Sequence, residues 1–224
     1  MPSQWGKRAC SKVRKEPFDQ GRYNLLVINE ELRRELLTMR AEDMRIREEL
    51  LESGELGGAY VPRMEAAHLC NAARLRELIA VHGWPDETLA GKDGAEAAWL
   101  IVQHAIGEPI FQREMLGLLH ACARAKRIPL WHAAYLEDRI AMYEGRPQVY
   151  GTQWVDDPRD GHVRPWSIAE PDRVNELRAS IGLGPLRAIP EPGPELPLEE
   201  QRKIVDNQQW WERWLNDKGW RQCS

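Results

Sequence analysis

A four–three recurrence of apolar residues, renewed in one segment after another and cut each time by glycine or proline, constrains this chain more than any other feature. Over residues 29–53, Leu32, Leu36, Met39, Asp43, Ile46 and Leu50 keep the rhythm. At 3.6 residues per turn these positions share one helical face. A glycine-rich break at 54–58 stops the run and Pro62 opens the next, whose stripe is His68, Asn71, Leu75 and Leu78, ending at Gly83-Trp84-Pro85. The segment 83–94, GWPDETLAGKDG, reads as a loop from its turn residues, with Asp86 and Asp93 as caps or turn residues. After it Ala97, Leu100, Ile101 and His104 fall on one face with Gln103 alongside, Pro109 restarts a helix containing Leu118, Leu119 and Cys122, and a fifth stripe carries Trp131, Tyr135, Asp138 and Met142. Helices joined this way fold as a mainly α domain.

The pattern changes after Gly145. Gln148 to Gln153 form a polar, strand-like run, and the aspartate, proline and glycine of DDPRDGH separate it from VRPWSI, which predicts a small β-hairpin within residues 148–168. A short helix, DRVNELRASIG, closes on Gly182. A proline-rich stretch then leads to an amphipathic helix with Ile204, Gln208, Trp211 and Leu215 on one face. The organisation expected is a poorly ordered lead-in (1–22), a helical core domain (23–187), a connector (188–197) and a Trp-rich C-terminal helix (198–224). That last helix docks on the domain, covers a second copy in a homo-oligomer, or binds a partner.

Composition excludes several classes. At 224 residues and 42% apolar the chain can bury a core of its own. A net charge of −4 without a long basic stripe argues against nucleic acid, the five basic residues between Lys7 and Lys15 being confined to a terminal segment. No apolar run is long enough to cross a membrane, and the first residues lack the apolar stretch of a signal peptide, so a cytoplasmic location is expected. The cysteines at 10, 70, 122 and 223 show no CxxC spacing and, with Cys70 and Cys122 inside helical patterns among apolar neighbours, read as reduced core cysteines rather than a zinc site or disulfide framework.

Chemistry enters through polar residues at positions where periodicity demands apolar ones. Asp43, His68 with Asn71, His104 with Gln103, and Asp138 all face inward on separate helices. Buried polar groups must be satisfied, and mutual contact satisfies several at once, so a shared polar cavity is the expectation. Its catalytic set would be His104 as general acid or base, Asp138 as its orienter and His68 as a second proton carrier. Asn71, Gln103, Arg139, Tyr150, Thr152 and Gln153 would hold a small-molecule or peptide-like ligand by hydrogen bonds. No HExxH spacing is present, so neither a metal nor another cofactor is assigned. The function expected is acid–base hydrolysis or group transfer on a small polar substrate. The alternatives are a non-enzymatic ligand-binding or interaction module, and a metal-dependent enzyme using His68, His104 and a carboxylate.

Read together, His68-x-x-Asn71, Gly83-Trp84-Pro85, the run from Ala98 to Ala105 (AWLIVQHA), Ala134-Tyr135-Leu136-x-Asp138-Arg139 and Gln148-x-Tyr150-Gly151-Thr152-Gln153 resemble a widespread bacterial family of unknown function. The resemblance spans roughly residues 32 to 187. It implies one domain in which the motif residues act as a unit, and it carries no activity, cofactor or catalytic assignment.

Overall fold

The computed structural model describes residues 28–56 and 60–221. The lead-in expected over residues 1–22, the basic cluster within it, Cys10 and Cys223 lie outside that range; of the two core cysteines expected inside it, Cys122 is buried but Cys70 is exposed. Seven α-helices and one two-stranded hairpin make up the described chain: α1 (Glu30–Glu52), α2 (Pro62–His82), α3 (Glu87–His104), α4 (Pro109–Arg124), α5 (Leu130–Tyr143), β1 (Trp154–Asp156), β2 (Val163–Pro165), α6 (Val174–Ser180) and α7 (Leu198–Asp217), with a 3₁₀ turn at Pro171–Arg173. The fold is mainly α, as the periodicity predicts.

Local chemistry starts the helices where the sequence says it should. Asn29 caps α1 by accepting the Leu32 N–H at 3.1 Å, and proline occupies the first position of α2 and α4, where a missing N–H costs nothing. The expected loop at 83–94 is the main departure. Asp86 accepts the N–H groups of Thr88 and Leu89 and starts α3 at Glu87, and the helix passes through a kink at Gly91, whose φ of 69° is left-handed. Turn-type residues here cap and bend a helix rather than replace it.

That kinked, small-residue start sets the position of α1. Ala90, Gly91, Gly94, Ala97 and Ala98 of α3 are buried, and a Cβ on Gly94 would lie 3.0 Å from the Ala90 Cβ and 3.3 Å from Arg33 Cγ on α1. Arg33 then pairs with Asp93 through two hydrogen bonds of 2.8 and 2.6 Å, locking the ends of the two helices together. The close approach carries the middle of α1 to the C-terminal end of α3. Around this pair the core is built from Leu36, Leu75, Val102, Phe111, Leu119 and Leu136, each essentially inaccessible. Fully burying a side chain of this kind stabilises by about 1.5–3 kcal/mol.

The hairpin pairs Trp154 with Pro165, Val155 with Arg164 and Asp156 with Val163, antiparallel, and an isolated bridge joins Gln148 to Ile168 just before it. The C-terminal helix docks on the chain's own domain. Trp214, Leu215 and Trp220 are buried, Tyr60 packs edge-on against Trp214, and the Trp220 indole N–H donates to the Ile106 carbonyl at 2.8 Å. Among the described residues no helix is long and apolar enough to cross a membrane.

Candidate functional site

Three helices meet at Asp43. It occupies an apolar position of α1, is 1% exposed, and receives one imidazole on each oxygen: His68 Nε2 from α2 lies 3.1 Å from Oδ1, and His104 Nδ1, at the last position of α3, lies 2.7 Å from Oδ2. Tyr60, in the segment between α1 and α2, places its hydroxyl 2.5 Å from the remaining nitrogen of His68. The two imidazole rings stand 5.0 Å apart, centroid to centroid. His104 and His68 line a cavity of about 570 Å³ together with Asp43, Tyr60, Arg47 and Arg139. Its apolar walls include Leu56, Val61, Met64, Leu100, Ile106 and Trp211, the last supplied by α7.

Protonation follows from the hydrogen bonds. Burial alone pushes the Asp43 carboxyl up, but the imidazoles of His104 and His68 outweigh it and hold the group well below the usual carboxylate range. Burial also holds His104 below its ordinary value, against the opposing pull of Asp43. A carboxylate only accepts, so each neutral imidazole must present an N–H to it: His68 from Nε2, His104 from Nδ1. His68 Nδ1 is then a lone pair, satisfied by the Tyr60 O–H. Burial raises the Tyr60 phenol, so this donor keeps its proton. In this arrangement His104 Nε2 carries a lone pair with no partner among the described residues. The His104 side chain is 24% exposed, which leaves that nitrogen within reach of the cavity.

Asp138 does not join this centre, although the helical stripe predicted that it would orient His104. Its carboxylate is fully buried and accepts the backbone N–H groups of Val149, Tyr150 and Thr152 at 2.7–3.1 Å and the Thr152 hydroxyl at 2.9 Å. About 100° of helical rotation per residue separates Asp138 from Arg139, so α5 sends Arg139 to the cavity and Asp138 to the 148–153 loop. Gln148 completes the clamp: its amide donates to the Gln153 and Trp166 carbonyls and accepts the Gln153 N–H.

The expected ligand-binding residues divide the same way. Arg139 lines the cavity, with one guanidinium nitrogen donating to the Gln103 carbonyl at 3.1 Å. Tyr150, Thr152 and Gln153 belong to the clamped loop, where Tyr150 offers its carbonyl to Arg178 at 2.7 Å and the Gln153 amide donates to the Thr152 hydroxyl at 3.0 Å. Asn71 sits beside α1, its amide 3.4 Å from the Met39 carbonyl, and is absent from the cavity wall. The Gln103 side chain is buried without a partner among the described residues and likewise does not line the cavity, since it points a quarter-turn from His104. Arg47, Tyr60 and Trp211 were not foreseen as site residues. Arg47 lies one turn beyond Asp43 and was legible as its helical neighbour, whereas Tyr60 and Trp211 occupy a glycine-rich break and the tail, which no periodicity connects to the histidines.

Asp43, His68 and His104 each offer one donor atom, all within 4.8 Å of one another, and they are the residues of this site able to hold a metal ion. Comparison with known proteins adds the lineage. No curated protein and no solved structure matches the chain. A family model matches residues 30–190, the stretch that supplies Asp43, Tyr60, His68, His104 and Arg139 but not Trp211, and the chain therefore belongs to that family, one of unknown function (DUF6624).

Proposed function

We propose that the Asp43–His68–His104 cluster is an acid–base centre for hydrolysis or group transfer on a small polar or peptide-like substrate. One observation carries the reading: a single buried carboxylate fixes both imidazoles, which leaves His104 Nε2 as a lone pair beside the cavity. His104 takes the proton of an attacking water or hydroxyl and returns it to the leaving group, while Asp43 stabilises the imidazolium formed in between. His68, expected as a second proton carrier, has both nitrogens engaged and serves better as a positioning residue that holds Asp43 between Tyr60 and His104. General acid–base groups of this kind contribute about 10²–10⁴-fold in rate. In a screen of ester, amide and phosphoryl substrates, activity found with the wild type should fall by about that factor in His104→Ala and persist in His162→Ala, whose side chain is outside the cavity. Equal activity in the wild type and His104→Ala would remove the reading.

A second reading rests on the same three donors. A divalent metal on Asp43, His68 Nε2 and His104 Nδ1 would replace the two shared protons, and Tyr60 would then accept the outer N–H of His68, as partners of metal-bound histidines do. Two arginines on the same cavity weigh against a cation there. Elemental analysis of protein purified without chelator decides: near-stoichiometric zinc, iron or manganese, lost in His68→Ala, would put metal-assisted chemistry first.

A further inference from the structure

The charge around the cavity identifies what it holds. Its wall carries one carboxylate, Asp43, and two guanidinium groups, Arg47 and Arg139. Asp43 already shares its charge with two N–H donors, so the field experienced by a ligand is that of the arginines. Their circumstances differ from those of most arginines on α1 and α2 that touch acids. Arg33, Arg45, Arg63, Arg74 and Arg76 are paired with carboxylates, whereas Arg47, like Arg34 and Arg40 of the same helix, forms no ion pair with any described residue and alone of these three lines the cavity. Arg139 donates to a backbone carbonyl and also acts on the buried Tyr143 hydroxyl, but no carboxylate pairs with it among the described residues and its Nε is buried with no partner there. Arg139, half-buried beside the cavity with donors to spare, is short of an acceptor, while the exposed Arg47 adds its charge at the cavity rim. Among the described residues no carboxylate other than Asp43 reaches the cavity wall.

We infer that the cavity binds a small organic oxyanion, with its carboxylate or phosphate group on Arg139 and Arg47, its apolar body against Leu100, Ile106, Met64 and Trp211, and its reacting bond at His104 Nε2. The inference rests on the acid–base reading for the last element only; the anion site stands on the arginines. A volume of about 570 Å³ suits one small molecule rather than a polymer segment. The apolar walls explain why an inorganic anion would be a poor occupant: it would desolvate without covering them.

Quenching of tryptophan fluorescence, with Trp211 in the wall, provides the measurement, and benzoate, phenyl phosphate, inorganic phosphate and neutral benzyl alcohol provide the probes. Benzoate or phenyl phosphate should bind at least about tenfold more tightly than benzyl alcohol, as one charge-assisted hydrogen bond suffices to produce, and whichever of the two binds better names the headgroup. Both should weaken about tenfold in Arg139→Gln and less in Arg47→Gln, an exposed position where folding is not at stake, and their affinity should fall as salt rises. His104→Ala should retain them. Equal affinity for the anions and benzyl alcohol, or unchanged anion affinity in both arginine variants, would overturn the inference. The two readings fail separately: charge discrimination with equal activity in the wild type and His104→Ala sinks the acid–base reading alone, whereas His104-dependent activity without charge discrimination sinks the anion site alone.

Discussion

Asp43 and Asp138 look alike in sequence and are nearly alike in burial, 1% and 0% exposed, yet they serve different ends. Asp138 meets only donors that belong to a neighbouring loop, three backbone N–H groups and a hydroxyl, and all are consumed in holding Val149–Thr152 in place. Asp43 meets two titratable rings, one of which retains a free nitrogen beside a cavity. A buried acid whose partners are backbone amides is structural, because those partners cannot exchange protons. One whose partners are imidazoles is chemically able. The distinction lies in the partners and not in the acid.

The sharpest way to break the comparison is to delete each carboxylate in turn. Asp138→Ala strands four partly buried donors and should destabilise by about 3–5 kcal/mol, read as a lower denaturant midpoint, with any loss of activity following loss of fold. Asp43→Asn should instead cost about 1–3 kcal/mol, since an amide can still meet one imidazole as acceptor. It should lower turnover by about 10²–10⁴-fold, because the other imidazole must change tautomer. If the two variants lose stability and activity in the same proportion, the two acids have been wrongly separated.

Smaller perturbations refine each side. Gly151 lies in the clamped loop with φ of 65°, and a Cβ there would come 2.7 Å from Leu186 Cδ1. Gly151→Ala should therefore cost about 1–3 kcal/mol and leave the His104 resonance unmoved. Tyr60→Phe removes the donor to His68 Nδ1 and should cost about 1–2 kcal/mol while shifting the His68 imidazole resonances, the converse pattern.

The smallest expected effect is a pH dependence. Burial holds His104 below its ordinary value and pushes His132, stacked on Trp99 with ring centroids 5.0 Å apart, down to about 4. Below about pH 6.5 the unfolded chain takes up protons that these folded imidazoles refuse. Stability is therefore unaffected by them above that pH and declines as pH falls from about 6.5 towards 4. Asp43 acts lower: its depressed folded value stabilises above the ordinary carboxylate range and is lost only on further acidification. Melting temperature against pH should show the first decline, and His132→Phe, which retains the stacking, should flatten it.

Much of the framework was legible along the chain. Helical periodicity located all five core helices, Pro62 and Pro109 marked two starts, and the hairpin followed from the DDPRDGH turn. The loop expected at 83–94 was misread because glycine and aspartate serve a kink and a cap as readily as a turn. Polar residues on apolar stripes announced buried polar contacts at Asp43, His68 and Asp138, whereas the Gln103 side chain is buried without a partner among the described residues. Periodicity reports which way a side chain faces relative to its own helix, and burial follows from that.

Partnership does not follow, because it depends on how far one helix slides and turns on another. Small residues at the start of α3 let α1 come close enough for Asp43 to reach His104, 61 residues away in sequence, and a hundred degrees of rotation on α5 assigned Arg139 to the cavity and Asp138 to the loop. Tyr60 and Trp211 reach the site from a break and a tail whose local patterns contain no trace of it. The sequence by itself determined a mainly α domain with buried acids and imidazoles. Only the tertiary structure decided which acid serves which imidazole, since hydrogen bonds act over about 3 Å and helix periodicity carries no information about distances between helices.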